Sequence, residues 1–212
     1  KFHYNSSVDE IIIEDKKAKG VKIKGEQVRA DVVISNTDVW FTYKKLLKDQ
    51  LPPARILQQE RSSSALIFYW GIKKEFAELD LHNIFFAEDY HQEFDYIWKK
   101  KSIYFDPTVY LNISSKFKSG DAPLGCENWF TMINVPSDSG QDWDKLIAEV
   151  RQNILKKLSF ILKEDISSLI TCETILDPRG IESKTASYQG SLYGTSSNTQ
   201  FAAFLRHANF SS

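Results

Sequence analysis

The chain has 212 residues, 42% hydrophobic and 26% charged, a globular composition that excludes a disordered or collagen-like polypeptide. Its 27 basic and 28 acidic residues leave a net charge of −1, so there is no global electrostatic argument for nucleic acid. That length holds one good-sized domain, or one domain and part of another.

In chain order, residues 8–13 (VDEIII) and 20–23 (GVKI) predict a β-hairpin around the charged, turn-forming segment EDKKAK. Residues 31–35 (DVVIS) are an apolar run bounded by polar residues, the pattern of a strand buried on both faces in a parallel sheet. No Gly-rich phosphate turn or βαβ partner precedes it, and Lys1 is not a Met. Residues 1–38 therefore read as the last part of an incomplete nucleotide-binding domain. Residues 206–212 (RHANFSS) close no element, so the expectation is a piece of a larger parent.

Ser35, Asn36, Thr37 and Asp38 offer N-caps for a helix over residues 39–48, which Leu51-Pro52-Pro53 ends. A further turn or two is expected at 54–60. Strands are expected at 65–73 (the apolar ALIFYWGI and the next residue), 82–87, 108–113, 128–135 and 170–176. Tyr90, Phe94, Ile97 and Trp98 have the spacing of an amphipathic helix over 88–99. The clearest helix covers 142–163, with Asp142 as N-cap and an inward stripe of Trp143, Leu146, Ile147, Val150, Ile154, Leu158 and Ile161. Asp177-Pro178-Arg179-Gly180 reads as a turn by composition, and residues 181–212 show no clear periodicity. The sum is an α+β fold, a mixed β-sheet covered on one side by helices, in a second domain over residues 39–212.

A direct search for chemistry finds little. His3, His82, His91 and His207 stand alone, without chelating spacing, so no metal site is expected. GxSxG, P-loop and HExxH motifs are absent. Cys126 and Cys172, far apart and without CxxC, read as reduced core residues of a cytoplasmic protein. The acidic group Glu88, Asp89, Glu93 and Asp95 reads as a solvated surface. Lys99-Lys100-Lys101 reads as a soluble helix end, with contact to anionic lipid as the alternative. No apolar stretch approaches the ~20 residues of a membrane span. What remains is aromatic: Phe68, Tyr69, Trp70, Phe85, Phe86, Tyr90, Phe94, Trp98, Trp129, Phe130, Tyr188 and Tyr193. A sheet with this content can enclose a long apolar slot, and the residues alone point to an apolar-ligand or partner-binding domain.

Several segments, taken in order, resemble the bacterial carotenoid desaturase family (phytoene dehydrogenase-like, FAD-dependent flavoproteins). Val8-Asp9-Glu10-Ile11, Gly20-Val21 and the run Ala30 to Asn36 look like the second part of that family's FAD domain. The run Ser64 to Ile72 resembles its substrate-domain strand. His82-Asn83-Ile84-Phe85-Phe86 with Glu88-Asp89-Tyr90 and Glu93-Phe94 is the most specific segment, with Ala122-Pro123 and Gly125-Cys126-Glu127-Asn128. Val135-Pro136, Asp142-Trp143, Pro178-Arg179, Gly190-Ser191, Tyr193-Gly194, Arg206-His207 and Asn209 continue the order.

The resemblance implies a parent that removes hydrogen across C–C bonds of a long, apolar polyisoprenoid. FAD would accept hydride, and the protein would supply an apolar, water-excluding slot. It carries over one cofactor contact, the backbone of Val8 near the FAD adenine, with a plain hairpin-core valine as the alternative. It transfers no catalytic side chain. It also implies peripheral membrane contact, since the substrate lives in the bilayer, and an isolated 212-residue chain that is inactive alone. The alternatives are a retinol saturase-like or carotenoid-oxidising relative on the same scaffold, and a non-catalytic apolar-ligand module.

Overall fold

The computed structural model describes residues 1–196. Three strands, β1 (Glu10–Glu14), β2 (Lys17–Ile23) and β3 (Glu26–Arg29), pair antiparallel in sequence order as a small sheet. The expected hairpin is therefore present, extended by a third strand that the sequence reading left unassigned. Both connections are two-residue turns with φ positive at each position, 50° and 60° at Asp15 and Lys16, then 50° and 86° at Lys24 and Gly25. Such turns match the twist of paired strands. Gly20 is required where it stands, because a Cβ there would lie 2.1 Å from the Val28 carbonyl oxygen.

Residues 31–35 are not the expected strand. They run without regular structure, Val32 73% and Ile34 87% exposed. A doubly buried strand needs a neighbour on each edge and a layer on each face, and no described residue supplies them. Asp38 then accepts a hydrogen bond from the Trp40 N–H at 2.8 Å and starts α1 (Val39–Phe41), which continues as a π-helical turn, Thr42–Leu46. After the two prolines comes α2 (Ala54–Leu57).

The main body is a five-stranded sheet of β4 (Ser64–Ile72), β5 (His82–Phe85), β6 (Val109–Asn112), β7 (Glu127–Val135) and β8 (Ile170–Leu176). Its order is β5-β6-β7-β4-β8. The class is α+β, as expected, but every neighbouring pair is antiparallel where a mixed sheet was expected. The reason lies in one crossover. The strands β7 and β8, joined through a helix, run the same way, yet β4 is inserted between them and opposes both. Alternation of strand and helix in the sequence was thus read correctly, and only the inserted strand was invisible.

Period-two alternation sorts the layers. Leu66, Phe68, Trp70, Ile72, Val109, Leu111, Trp129, Ile133 and Val135 share one face and are each at most 1% exposed. α3 (Tyr90–Asp95) lies beyond β5 and passes into a π-helical turn, Tyr96–Lys100. The long α4 (Trp143–Leu162) covers the buried face, with Trp143, Val150, Ile154, Leu155, Leu158 and Leu162 in the core. Asp142 caps it as expected, accepting from the Lys145 N–H at 3.2 Å. Ile161 is 44% exposed instead of buried. Over 20 residues the stripe drifts around the helix, and Leu162 takes the inner position.

A short α5 (Ile166–Leu169) leads to β8, and α6 (Pro178–Thr185) follows it. The expected turn at 177–180 is the start of α6: Asp177 accepts from the Gly180 N–H at 2.8 Å and Pro178 occupies the first turn. Asp-Pro-x-Gly fits a turn and a capped helix start equally, since proline lacks only a donor that the first turn leaves unused.

Candidate functional site

The face of the five-stranded sheet opposite α4 carries the other parity of side chains. Strand register aligns them in two rows across all five strands. One row runs Thr174, Tyr69, Phe130, Asn112, His82; the next runs Leu176, Ile67, Met132, Tyr110, Ile84. Four interstrand steps make each row about 19 Å long. At one end of this face Ile181 of α6 packs on Ala65 and Ile67, with Phe130, Met132 and Leu176 against them. Away from α6 the face is open, with Tyr69 40% and Ile84 55% exposed.

The exposed part is aromatic with a polar fringe. Tyr69 and Tyr110 meet Phe130 edge-on, at 5.5 Å and 6.2 Å between ring centroids. The Tyr110 hydroxyl lies 2.8 Å from His82 Nδ1, and the Asn112 amide nitrogen 3.2 Å from the same atom. Such a surface can hold an extended apolar molecule against ring faces and edges, with hydrogen-bonding groups at one edge only. It offers no nucleophile paired with a base. Among the described residues no three His, Cys, Asp or Glu side chains group to hold a metal.

Of the residues singled out by sequence, His82 belongs to this face, His3 and His91 are exposed elsewhere, and His207 lies outside the described residues. Both cysteines are free, but neither is core as expected: Cys126 is half-buried and Cys172 exposed. Cys172 lies on the edge strand β8 across from Gly71, where an added Cβ would come within 2.6 Å of its Sγ. An edge strand with one uncovered face exposes even small apolar residues.

The acidic group splits. Asp95 pairs with Lys99 at 2.8 Å on the surface, as expected. Asp89 caps α3, and the Gln92 backbone N–H, then the Gln92 side chain, hold its pKa below the usual carboxylate value. Glu93 corrects the solvated reading: it is 1% exposed and accepts from the Thr108 N–H at 3.0 Å and the Thr108 hydroxyl at 2.6 Å. A carboxylate pinning a helix to the residue ahead of β6 is structural. The three lysines are engaged: Lys99 with Asp95, Lys100 over the Tyr96 ring, Lys101 with Glu60 at 2.7 Å.

Val8 is half-buried ahead of β1, next to Asp9, whose N–H donates to the Lys22 carbonyl at 2.8 Å. Two shallow concavities flank the N-terminal sheet, about 280 Å³ and about 100 Å³, and Val8 lines neither. They are polar and lie away from the aromatic face, so the broad sheet surface is the better candidate.

The burial of Glu127 and of Arg61 is not legible in the sequence. Glu127, 2% exposed, accepts from the Phe76 N–H at 2.9 Å and Trp129 Nε1 at 2.7 Å, and pairs with Lys116 at 2.7 Å. Arg61, 3% exposed, has its guanidinium 3.6 Å from Asp38 and 4.9 Å from the Tyr188 ring centroid. Trp40 stacks on the same tyrosine at 4.0 Å. Around Arg61 the strand entry is stitched to the chain near residue 190: Ser62 N–H to the Gly194 carbonyl at 2.9 Å, Leu192 N–H to the Ser63 carbonyl at 3.1 Å, Ser64 hydroxyl to the Gly190 carbonyl at 2.5 Å. A lone arginine before a serine run carries no sequence signal of burial.

No family model matches the chain. Among curated proteins it is 52% identical to a 1-hydroxycarotenoid 3,4-desaturase of Flavobacterium over 99% of its own length and 43% of that protein's. It is 31% identical to a phytoene desaturase of Fusarium fujikuroi over 85% of this chain and 35% of that protein. A 4,4'-diapophytoene desaturase of Methylomonas matches at 32% over 92% of this chain and 40% of the relative. The chain thus spans less than half the length of these relatives.

Proposed function

We propose, from its likeness to carotenoid desaturases over the stretch it spans, that this chain supplies the substrate-holding part of an FAD-dependent oxidoreductase that removes hydrogen from C–C bonds of a long polyisoprenoid. The observation that carries this reading is the 52% identity to a 1-hydroxycarotenoid 3,4-desaturase over nearly the whole chain. The open aromatic rows fit it. An extended polyene would lie along Tyr69, Phe130, Met132 and Ile84, and its burial there would remove water from the reacting bond.

In this reading residues 1–38 belong to the nucleotide-binding unit and 39–212 to the substrate unit, with Asp38 opening the second. FAD, when bound, would accept the hydride as a proton leaves the adjacent carbon; this chain's residues orient the polyene and exclude water. Val8 is retained as a backbone contact to the adenine. The one described side chain that independently fits a ligand of this kind is the buried Arg61, whose nitrogens have no hydrogen-bond acceptor among the described residues. No described helix is long and apolar enough to cross a membrane, and access to a bilayer-dissolved substrate is assigned to peripheral contact.

The test is to express the segment with its natural flanks, record the visible spectrum, and assay hydroxylated and unhydroxylated polyenes with product analysis. A bound-flavin spectrum and products with added double bonds are expected. A flavin-containing protein that leaves every polyene unchanged would remove the substrate assignment. A colourless protein that takes up no added FAD would remove the enzyme assignment.

A further inference from the structure

The most anomalous group among the described residues is Arg61. Its side chain is 2% exposed, and Nε and both terminal nitrogens have no hydrogen-bond partner among the described residues. Its one carboxylate neighbour, Asp38, stands at 3.6 Å, beyond hydrogen-bond reach, and Asp38 Oδ1 already accepts from the Trp40 N–H at 2.8 Å. A guanidinium carries five donors in a fixed planar fork and keeps its charge in every folded context. Buried charges persist when paired and hydrogen-bonded, and Arg61 is neither in full. The groups around it are arranged, not incidental. Tyr188 lies under the cation, Trp40 stacks on Tyr188 within 3° of parallel, and Gly190, where a Cβ would meet Pro178 O at 2.3 Å, holds the turn behind them.

We propose that Arg61 is a cofactor-anchoring residue, donating its planar fork to an anionic acceptor group of the flavin dinucleotide. This inference rests on the flavoprotein reading above and goes beyond it by assigning a residue. The location agrees. Asp38 and Trp40 mark the crossing from the N-terminal unit, and Ser62, Ser64, Gly190 and Gly194 bind the substrate sheet to the same spot. The cover over Arg61 is made of short elements, the three-residue α1 and the 3-10 turn at Tyr188–Gly190. The turn is held to β4 by the Ser64 hydroxyl on the Gly190 carbonyl, so α1, which belongs to neither sheet, is the element that would open over Arg61. Two parts of the dinucleotide share the chemistry that a guanidinium recognises: the diphosphate, and the N1–C2=O edge of the ring, which becomes anionic on reduction.

The experiment uses the full gene product. Because removing Arg61 alone would strand Asp38, the variant is the pair Arg61→Met with Asp38→Asn, since asparagine still caps Trp40. Arg61→Lys, which keeps charge and loses the fork, accompanies it. FAD, ADP and riboflavin are titrated into each apoprotein, and melting temperature and flavin midpoint potential are recorded. The expected result for the paired variant is FAD affinity reduced at least tenfold while the apoprotein melts no lower than wild type, with an intermediate loss for Arg61→Lys. A parallel loss for ADP assigns the diphosphate. A parallel loss for riboflavin, with a more negative potential, assigns the ring edge. FAD, ADP and riboflavin affinities within twofold of wild type overturn the proposal and leave the flavoprotein reading standing. A wild-type protein that binds no flavin overturns both.

Discussion

At the residue scale, the segments that carry the family likeness turn out to hold the fold. Glu93 locks α3 to the residue entering β6, and Glu127 ties together Phe76, Trp129 and Lys116. Replacing Glu127 with alanine strands an ammonium and two buried donors. The expected destabilisation is about 3–5 kcal/mol, the range for breaking a buried pair; urea unfolding with an unchanged slope checks it, and a loss below 1 kcal/mol would contradict the burial. The candidate site behaves differently. Tyr69 is 40% exposed and Phe130 half-buried beside it, so in the full-length protein of the proposed function Tyr69→Ala should leave folding nearly intact and raise KM for the polyene about tenfold, the worth of roughly 1.4 kcal/mol of lost apolar contact. Equal kcat/KM for wild type and variant would remove this face from the site. Sequence alone offers Tyr69 and Phe130 among a dozen aromatics and does not separate them from Phe68 and Trp129. One-residue parity decides which face a strand residue takes, and the turns that set parity are local details. The cysteines and Glu93 were misread for the converse reason: burial depends on what packs over a strand or helix, and that is not local.

At the element scale the sequence was informative wherever the period was long. The helix α4 and its cap and all five strands of the large sheet stand within a residue or two of where the pattern put them, while the second hairpin strand starts three residues early, at Lys17. The failures are the doubly apolar run at 31–35 and the Asp-Pro-Arg-Gly segment, where one composition serves two structures. Capping gives a pH test. Asp89 has a pKa below the usual value through the Gln92 N–H, so its contribution to stability is fully present above the ordinary carboxylate pKa. That contribution is lost as pH falls through the depressed value. Asp89→Ala should therefore narrow the stability gap to wild type only at acid pH, as read by melting curves between pH 7 and pH 2 or so. A gap of constant size across that range would deny Asp89 its role. At α6, Gly190→Ala places a Cβ 2.3 Å from Pro178 O at φ 64°. The left-handed conformation alone costs about 1–2 kcal/mol, and the backbone displacement adds to it, loosening α6 from the sheet.

At the scale of the whole molecule, the strand order was the part least legible. Strand β4 pairs with β7 and β8, roughly sixty and a hundred residues away, and no local signal encodes a partner at that distance. The two sheets are nevertheless separable on physical grounds. The N-terminal sheet buries little, with Ile11 its one hydrophobic residue in the fully buried set. Residues 31–36 join it to the rest without regular structure and largely exposed. The large sheet keeps its own core of Trp70, Trp129 and Trp143, each 1% exposed. Three or more strands with a hydrophobic face and a covering helix are enough for independent folding. A chain starting at Asn36, which retains Asp38 as the α1 cap, should thus keep the near-ultraviolet circular dichroism of those buried tryptophans and unfold cooperatively. Cleavage of the intact chain by a protease of broad specificity should fall first within residues 31–36. Loss of the tryptophan signal in the shortened chain would mean that the contact of β1 with the π-helical turn Thr42–Leu46 is part of the core, and the division at residue 38 would have to be abandoned.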